Sequence, residues 1–448
     1  MTRPSIPCTT SVRWPFVALS LATSLACSAS PEPSPPSGTA ADGAARGSGA
    51  GLIYVWAGDA DATDPDFLAV VDARAESPTY GRVMTTVPVE GRGNVPHHTE
   101  YELTPGRSLF ANGWGSGRTF IFDLADAARP LVTGSFGTRG RYAYPHSYAR
   151  LANGHVLATF QSTGDGYGPP GGLVELDERG ELVRAVSGAA PDIPTREIWT
   201  YSLLVLEDLD RVVTTNTRMG LPAEWKEAAH AAHDPSHAHV SQDVKSTHVQ
   251  MWRLSDLSLL HTLQLPPQEG GHNTWTAEPR RLANGEVYVN TFSCGLYRIA
   301  GVAGEAPAIE PAGFSRFEEP GWCAVPVVVG NFWIHPSATE RAIITYDLSD
   351  PAHPREASRL VLDPAHDKPH WIALDPAAPR LVVTSDESAW MAMADVDPAT
   401  GAVTIDEQFR DAGASRPGVT FDRLEWPHGA GGKAEPHGAV FGGIAARP

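Results

Sequence analysis

Apolar positions along the chain come in short runs, alternating or continuous, broken by Gly, Pro, Asn and Asp. Such runs read as short strands, since side chains alternate faces along a strand and the interrupting residues suit turns. Two stretches are near copies, "RLANGHVLATF" (150–160) and "RLANGEVYVNTF" (281–292), each reading as strand, Asn-Gly turn, strand. A looser unit spreads wider: an apolar strand, often ending in an acid, then a turn and a second strand. It starts at Phe67, Thr119, Leu173, Val249, Leu296, Ile343 and Met391, seven times in all. Most spacings are about fifty residues, room for four strands; only the third-to-fourth step is longer. This period predicts an all-β, seven-bladed β-propeller over residues 51–445. Residues 51–56 and the tail at 437–443 would share a blade and close the ring. A pair of β-sandwiches is the alternative, but it does not require a sevenfold period. The long step contains "LPAEWKEAAHAAHDPSHAHV" (221–240), with room for a short helix.

Ahead of each outer hairpin lies an apolar strand that should be innermost in its blade. Five of the seven innermost stretches open with histidine: "PHHTEYEL" (96–103), "YPHSYARL" (144–151), "HNTWTAEPRRL" (272–282), "KPHWIAL" (368–374) and "EPHGAVF" (435–441). The other two are "IWTYSLLVLE" (198–207) and "GWCAVPVVV" (321–329). Equivalent positions in a propeller surround one axis, so these side chains should converge. Convergent neutral imidazoles suit copper, iron or zinc. His97 and His98 are adjacent, and strand alternation would leave a packing role for at most one of them. The ordinary alternative is a set of hydrogen-bonded structural histidines inherited by duplicated blades. Glu100 and Asp386 are candidates to orient rings from behind, and Glu100 or a histidine to move protons. Trp275, Trp371 and Tyr101 could line an access route, although aromatics at strand starts ordinarily pack. His230, His233, His237, His239 and His248 lie in or beside the long step, as a solvated loop or a lid, with His239 nearest to function.

The remaining features narrow the function. Net charge is −18, from 34 basic and 52 acidic residues, which argues against nucleic acid. Residues 1–27 read as an export signal, with Arg3 and Arg13 ahead of "PFVALSLATSLAC". Cys27 stands where a bacterial lipoprotein carries its lipid; a plainly cleaved signal is the alternative. Residues 28–50 form a Pro/Ser/Gly-rich tether. The product would be periplasmic or membrane-anchored through Cys27 alone. Cys294 and Cys323 are left in the body, either bridged or as two buried thiols. No Walker loop, CxxC, G-x-S-x-G or dinucleotide fingerprint is present.

At these residues the chain resembles the selenium-binding protein family, which includes methanethiol oxidases. "DFLAVVDARAESPTYGRVMTTVPVEGRGNVPHH" (66–98) is similar to that family's first blade, with its paired histidines. "YPHSYARLANGHVLATF", the spacing from His239 to His248, "YDLSDPAHPREASRL" (346–360) and "PHGAVFGG" (436–443) resemble further family segments. The resemblance implies a seven-bladed propeller and a copper centre that converts methanethiol, oxygen and water to formaldehyde, hydrogen peroxide and hydrogen sulfide. It implies His97, His98, His146 and His437 as metal ligands, with His272, His335 and His370 less securely aligned. Glu100 and His239 are the expected catalytic groups. One departure stands out: "HHTEYELTPGRSLFANGWG" lacks the cysteine that follows the family's paired histidines. Selenium binding there is therefore not expected. The resulting expectation is an exported, copper-dependent oxidase of a small thiol. The alternatives are a non-catalytic binding platform and a metal-binding lipoprotein without turnover.

Overall fold

A computed structural model describes residues 51–104, 107–164, 166–222, 224, 240–241, 243–268, 271–312 and 321–442. The expected signal, the tether and His230, His233, His237 and His239 lie outside them. The strands form seven antiparallel sheets, the blades of a β-propeller. Blade 1 carries the closure. Its innermost strand is Gly432–Gly442, followed outward by Leu52–Asp59, Phe67–Asp72 and Val83–Pro88. Leu52 pairs with Gly442, and Asp59 with Ala434.

The other innermost strands are Pro96–Thr99 (blade 2), Tyr142–Arg150 (blade 3), Thr200–Leu206 (blade 4), Thr276–Arg281 (blade 5), Val327–Val329 (blade 6) and Pro369–Leu374 (blade 7). Each blade then runs outward strand by strand in chain order. The long step falls in blade 4, between Arg211–Asn216 and His248–Arg253. Pro222 and Glu224 have helical backbone there, and Met219 bridges to Val240.

Burial follows position in the blade. Middle strands such as Phe67–Asp72 and Ala342–Asp347 are buried along their whole length, because a neighbouring blade covers each face. The outermost strand Leu182–Ser187 is mostly exposed or half-buried. Apolar clusters fill the gaps between neighbouring blades. Trp56, Leu68 and Phe120 pack between blades 1 and 2, and Ile334, Ile343 and Leu381 between blades 6 and 7. An eighth cluster is different: Trp114, Tyr201, Trp275, Phe292 and Trp322 form an aromatic cap reaching across blades 2, 4, 5 and 6. Cys294 and Cys323 are joined by a disulfide that ties a blade 5 turn to the entry of blade 6.

Candidate metal centre

One local irregularity recurs around the ring. In six of the seven blades the innermost strand carries one residue more than its neighbour, a β-bulge. Between Pro96 and Thr99 the partner advances only from Gly113 to Ala111. The ladder bond lost at the bulge is replaced by a side chain of the second strand. The amide of His98 donates to Asn112 Oδ1 (2.6 Å), and that of Ser147 to Thr159 Oγ1 (3.0 Å). Ser202 uses Thr215 Oγ1 (3.1 Å) and Glu278 uses Asn290 Oδ1 (3.1 Å). The bulge cancels alternation locally, so two consecutive side chains turn toward the axis. That is why His97 and His98 act together.

The bulges stack two rings of side chains. Of the six first positions, Ala277 of blade 5 has no ring and the other five are His370, His437, His97, His146 and Tyr201, from blades 7, 1, 2, 3 and 4. Their rings form a continuous arc, with neighbouring centroids 4.4, 4.4, 4.9 and 4.1 Å apart. The second positions are Trp371, Gly438, His98, Ser147, Ser202 and Glu278. Gly438 is required: a Cβ there would lie 2.6 Å from the His97 carbonyl oxygen. That close approach lets His437 Nδ1 donate to the same oxygen (2.9 Å).

Two groups of three histidines bring one nitrogen each to within 4.8 Å of one another: His97, His98 and His146, and His97, His370 and His437. His97 belongs to both. Hydrogen bonds fix the proton positions. His146 Nδ1 faces the Tyr201 carbonyl oxygen (3.0 Å), and His437 Nδ1 faces that of His97. A carbonyl only accepts, so both Nδ1 atoms carry the hydrogen and both Nε2 atoms carry lone pairs. His437 Nε2 then accepts from His97 Nδ1 (3.1 Å), which leaves the His97 Nε2 lone pair bare. The Nε2 atoms of His97 and His146 are buried and make no hydrogen bond. Each such atom costs about 1–3 kcal/mol unless something binds it. Burial keeps the rings neutral: it lowers His97 and His98 well below the usual imidazole range, helped by their histidine neighbours, and lowers His146 to about 3. Bare, neutral, convergent imidazoles whose Nδ1–H is held, by the Tyr201 carbonyl for His146 and by His437 for His97, fit a bound metal ion.

The second ring is a hydrogen-bonded floor. His98 Nδ1 meets Ser147 Oγ (2.9 Å). Tyr101 Oη lies 3.4 Å from His98 Nδ1 and donates to Glu278 Oε2 (2.7 Å). Ser202 and Arg280 also donate to Glu278 Oε2. Tyr101 stacks on Trp371 (5.2 Å), and Arg280 lies over the Tyr101 ring (4.3 Å). Beyond them is a cavity of about 520 Å³. On the other side, the aromatic cap covers the centre over blades 4 to 6. Toward blades 7, 1 and 2 a cleft of about 450 Å³ reaches His97 and His437.

The other expected site residues fall elsewhere. His272 bonds Ser293 O through Nδ1 (2.6 Å), and His335, on the second strand of blade 6, lies beside Cys323 and Tyr346. Neither belongs to the two histidine groups. Glu100 is held in an ion pair with Arg150 and also accepts from the Phe110 amide. Asp386 is 3.9 Å from His370 Nδ1, beyond hydrogen-bond length. Trp275 packs in the aromatic cap, whereas Trp371 and Tyr101 form the floor. His248 is buried beside Glu197 (3.8 Å), and His239 lies outside the described residues. Sequence reasoning missed Ser147, Tyr201, Ser202 and Glu278. Aligning the innermost strands by their bulge would have found them, since the bulge-bridging Asn112, Thr159, Thr215 and Asn290 recur in the strand that follows.

The fold and centre together define a seven-bladed propeller with a histidine-lined core that could hold a metal ion. No model of a known protein family matches the chain. It is 32% identical over 123 residues to a methanethiol oxidase of Hyphomicrobium sp, and 31% identical over 139 residues to one of Ruegeria pomeroyi. These matches cover 27% and 30% of this chain, and 28% and 31% of those proteins, so the chain matches under a third of their length. The chain is thus similar in sequence to methanethiol oxidases over under a third of its length. The X-ray structure of a hypothetical selenium-binding protein from Sulfolobus tokodaii shares the fold, with a TM-score of 0.68 at 17% identity, covering 88% of this chain and 94% of that one. The periplasmic gluconolactonase of Pseudomonas aeruginosa also shares it, at TM-score 0.54 and 14% identity, covering 79% and 94%.

Proposed function

We propose that this protein is an exported, copper-dependent oxidase of a small thiol. The observation that carries the reading is the buried histidine arc with two bare Nε2 lone pairs, in a chain partly similar to methanethiol oxidases. His97, His98 and His146 would hold the metal, with His437 and His370 completing the arc. Imidazole ligation suits copper, and iron or zinc are the competitors. When bound, copper supplies the one-electron chemistry that thiol oxidation by oxygen needs. The chain does the rest. The Tyr201 and His97 carbonyls fix ring orientation. The aromatic cap excludes water from one side, and the cleft admits a small molecule from the other. The disulfide supports export, because such bridges persist in oxidising compartments.

The test is metal content of tag-free protein, with and without His97→Ala plus His146→Ala. About one copper per chain, absent from the variant, is the expected result. No metal in either protein after copper loading sinks the reading. A second reading, metal binding without turnover, is favoured by the missing cysteine after His98. Retained copper without thiol-dependent oxygen uptake would decide for it.

A further inference from the structure

The cleft that reaches the arc has a one-sided charge. Six carboxylates line it: Asp59, Asp61, Asp66, Asp386, Glu387 and Glu435. Among the described residues, no lysine or arginine lines it. Two of the carboxylates are paired from outside, Glu387 with Lys368 and Glu435 with Lys433. The Asp59 and Asp66 carboxylates accept from backbone amides, which shapes the loop but does not neutralise charge. Burial above all, with a smaller contribution from the neighbouring Asp61 carboxylate, pushes Asp59 upward. An acidic cluster alone proves nothing. Here it surrounds His97, which is 4% exposed and whose Nε2 is buried without a partner. The negative lining therefore lies on the same cleft as the residue that carries this unpartnered atom. Narrow clefts lined by one sign of charge focus the field and concentrate counter-ions.

We propose that this cleft is a cation-selective entrance, so that the thiol reaching the histidine centre is neutral or carries an amine, and a carboxylate-bearing thiol is rejected. The inference rests on the metal reading above and adds the charge class of the substrate. It also makes the cleft a capture route for the metal cation itself.

Cobalt(II)-loaded protein tests this without turnover, because its visible bands shift when sulfur binds. The probes are cysteamine, 2-mercaptoethanol and thioglycolate, titrated at low and high ionic strength. Metal content is measured on the same samples. The expected order of affinity is cysteamine, then 2-mercaptoethanol, then thioglycolate, with about tenfold between the ends at low salt. The spread should shrink in high salt, which screens the lining. It should also shrink in Asp59→Asn plus Asp61→Asn, which keeps the oxygens that hold the loop. Melting curves confirm the fold of that variant; should it fail to fold, the salt series on the unaltered protein decides. Metal retained with equal affinities, or with thioglycolate tightest, overturns this inference alone. No metal retained overturns the metal reading and this inference with it.

Discussion

The two rings of bulge residues share one backbone device and do opposite things with it. The first ring is histidine-rich, with lone pairs left bare. The second ring joins His98, Ser147, Tyr101, Ser202 and Glu278 by hydrogen bonds and is sealed below by Trp371 and Arg280. The upper ring keeps unmet bonding capacity; the lower one spends nearly all of it on itself. Side-chain choice at neighbouring positions, rather than backbone shape, thus separates a binding surface from a largely structural floor, in which His98 alone also joins a histidine group.

Substitutions should pull the two rings apart. The largest effect is expected from His97→Ala, because His97 belongs to both histidine groups. Metal retention should fall from about one per chain to near zero, read by mass spectrometry, with little change in melting. Glu278→Ala should do the reverse. It strands Arg280 beside a buried site and takes the acceptor from Tyr101 and Ser202. A loss of about 3 kcal/mol in urea unfolding is expected, with metal still bound. Equal metal loss in both variants would erase the distinction between the rings.

His335 is an off-axis control. Burial, and then Arg359, lower its pKa from 6.5 to about 4. The unfolded chain takes up the proton first, so this residue's contribution is whole above pH 6.5 and is lost as the pH falls toward 4. At pH 5 the cost is about 2 kcal/mol, and His335→Gln should flatten that part of the stability profile without removing metal. An unchanged profile would show that the ring is not held neutral. The smallest effect is expected from Ser147→Ala. Ser147 sits in the lower ring but touches Nδ1 of both His98 and His146. About tenfold weaker metal binding, by competition with a chelator, would mark it as the point where the rings couple. No change would leave them independent.

Much of this was legible in the sequence. The period of about fifty residues set the blade count, and the closure through Leu52–Asp59 and Gly432–Gly442 follows from it. His97, His98, His146, His370 and His437 were visible as recurrent strand openings, and the structure brings them together. What stayed hidden was which openings meet. His370, His437, His97 and His146 come from four successive blades, 7, 1, 2 and 3. His272 opens blade 5, but it precedes the strand by four residues and turns to Ser293. Periodicity locates a strand start without fixing the bulge that aims the side chain. Glu100 looked available as an acid or base because sequence cannot display Arg150, fifty residues away in the chain.

Blade 1 is made from two distant parts of the chain, and His437 rides on the later one. His437 therefore reaches His97 only when the ring has shut, and the group of His97, His370 and His437 cannot form on a partly synthesised or partly threaded chain. The arrangement is in effect a completion mark: those three nitrogens come within reach of one another only in a finished ring.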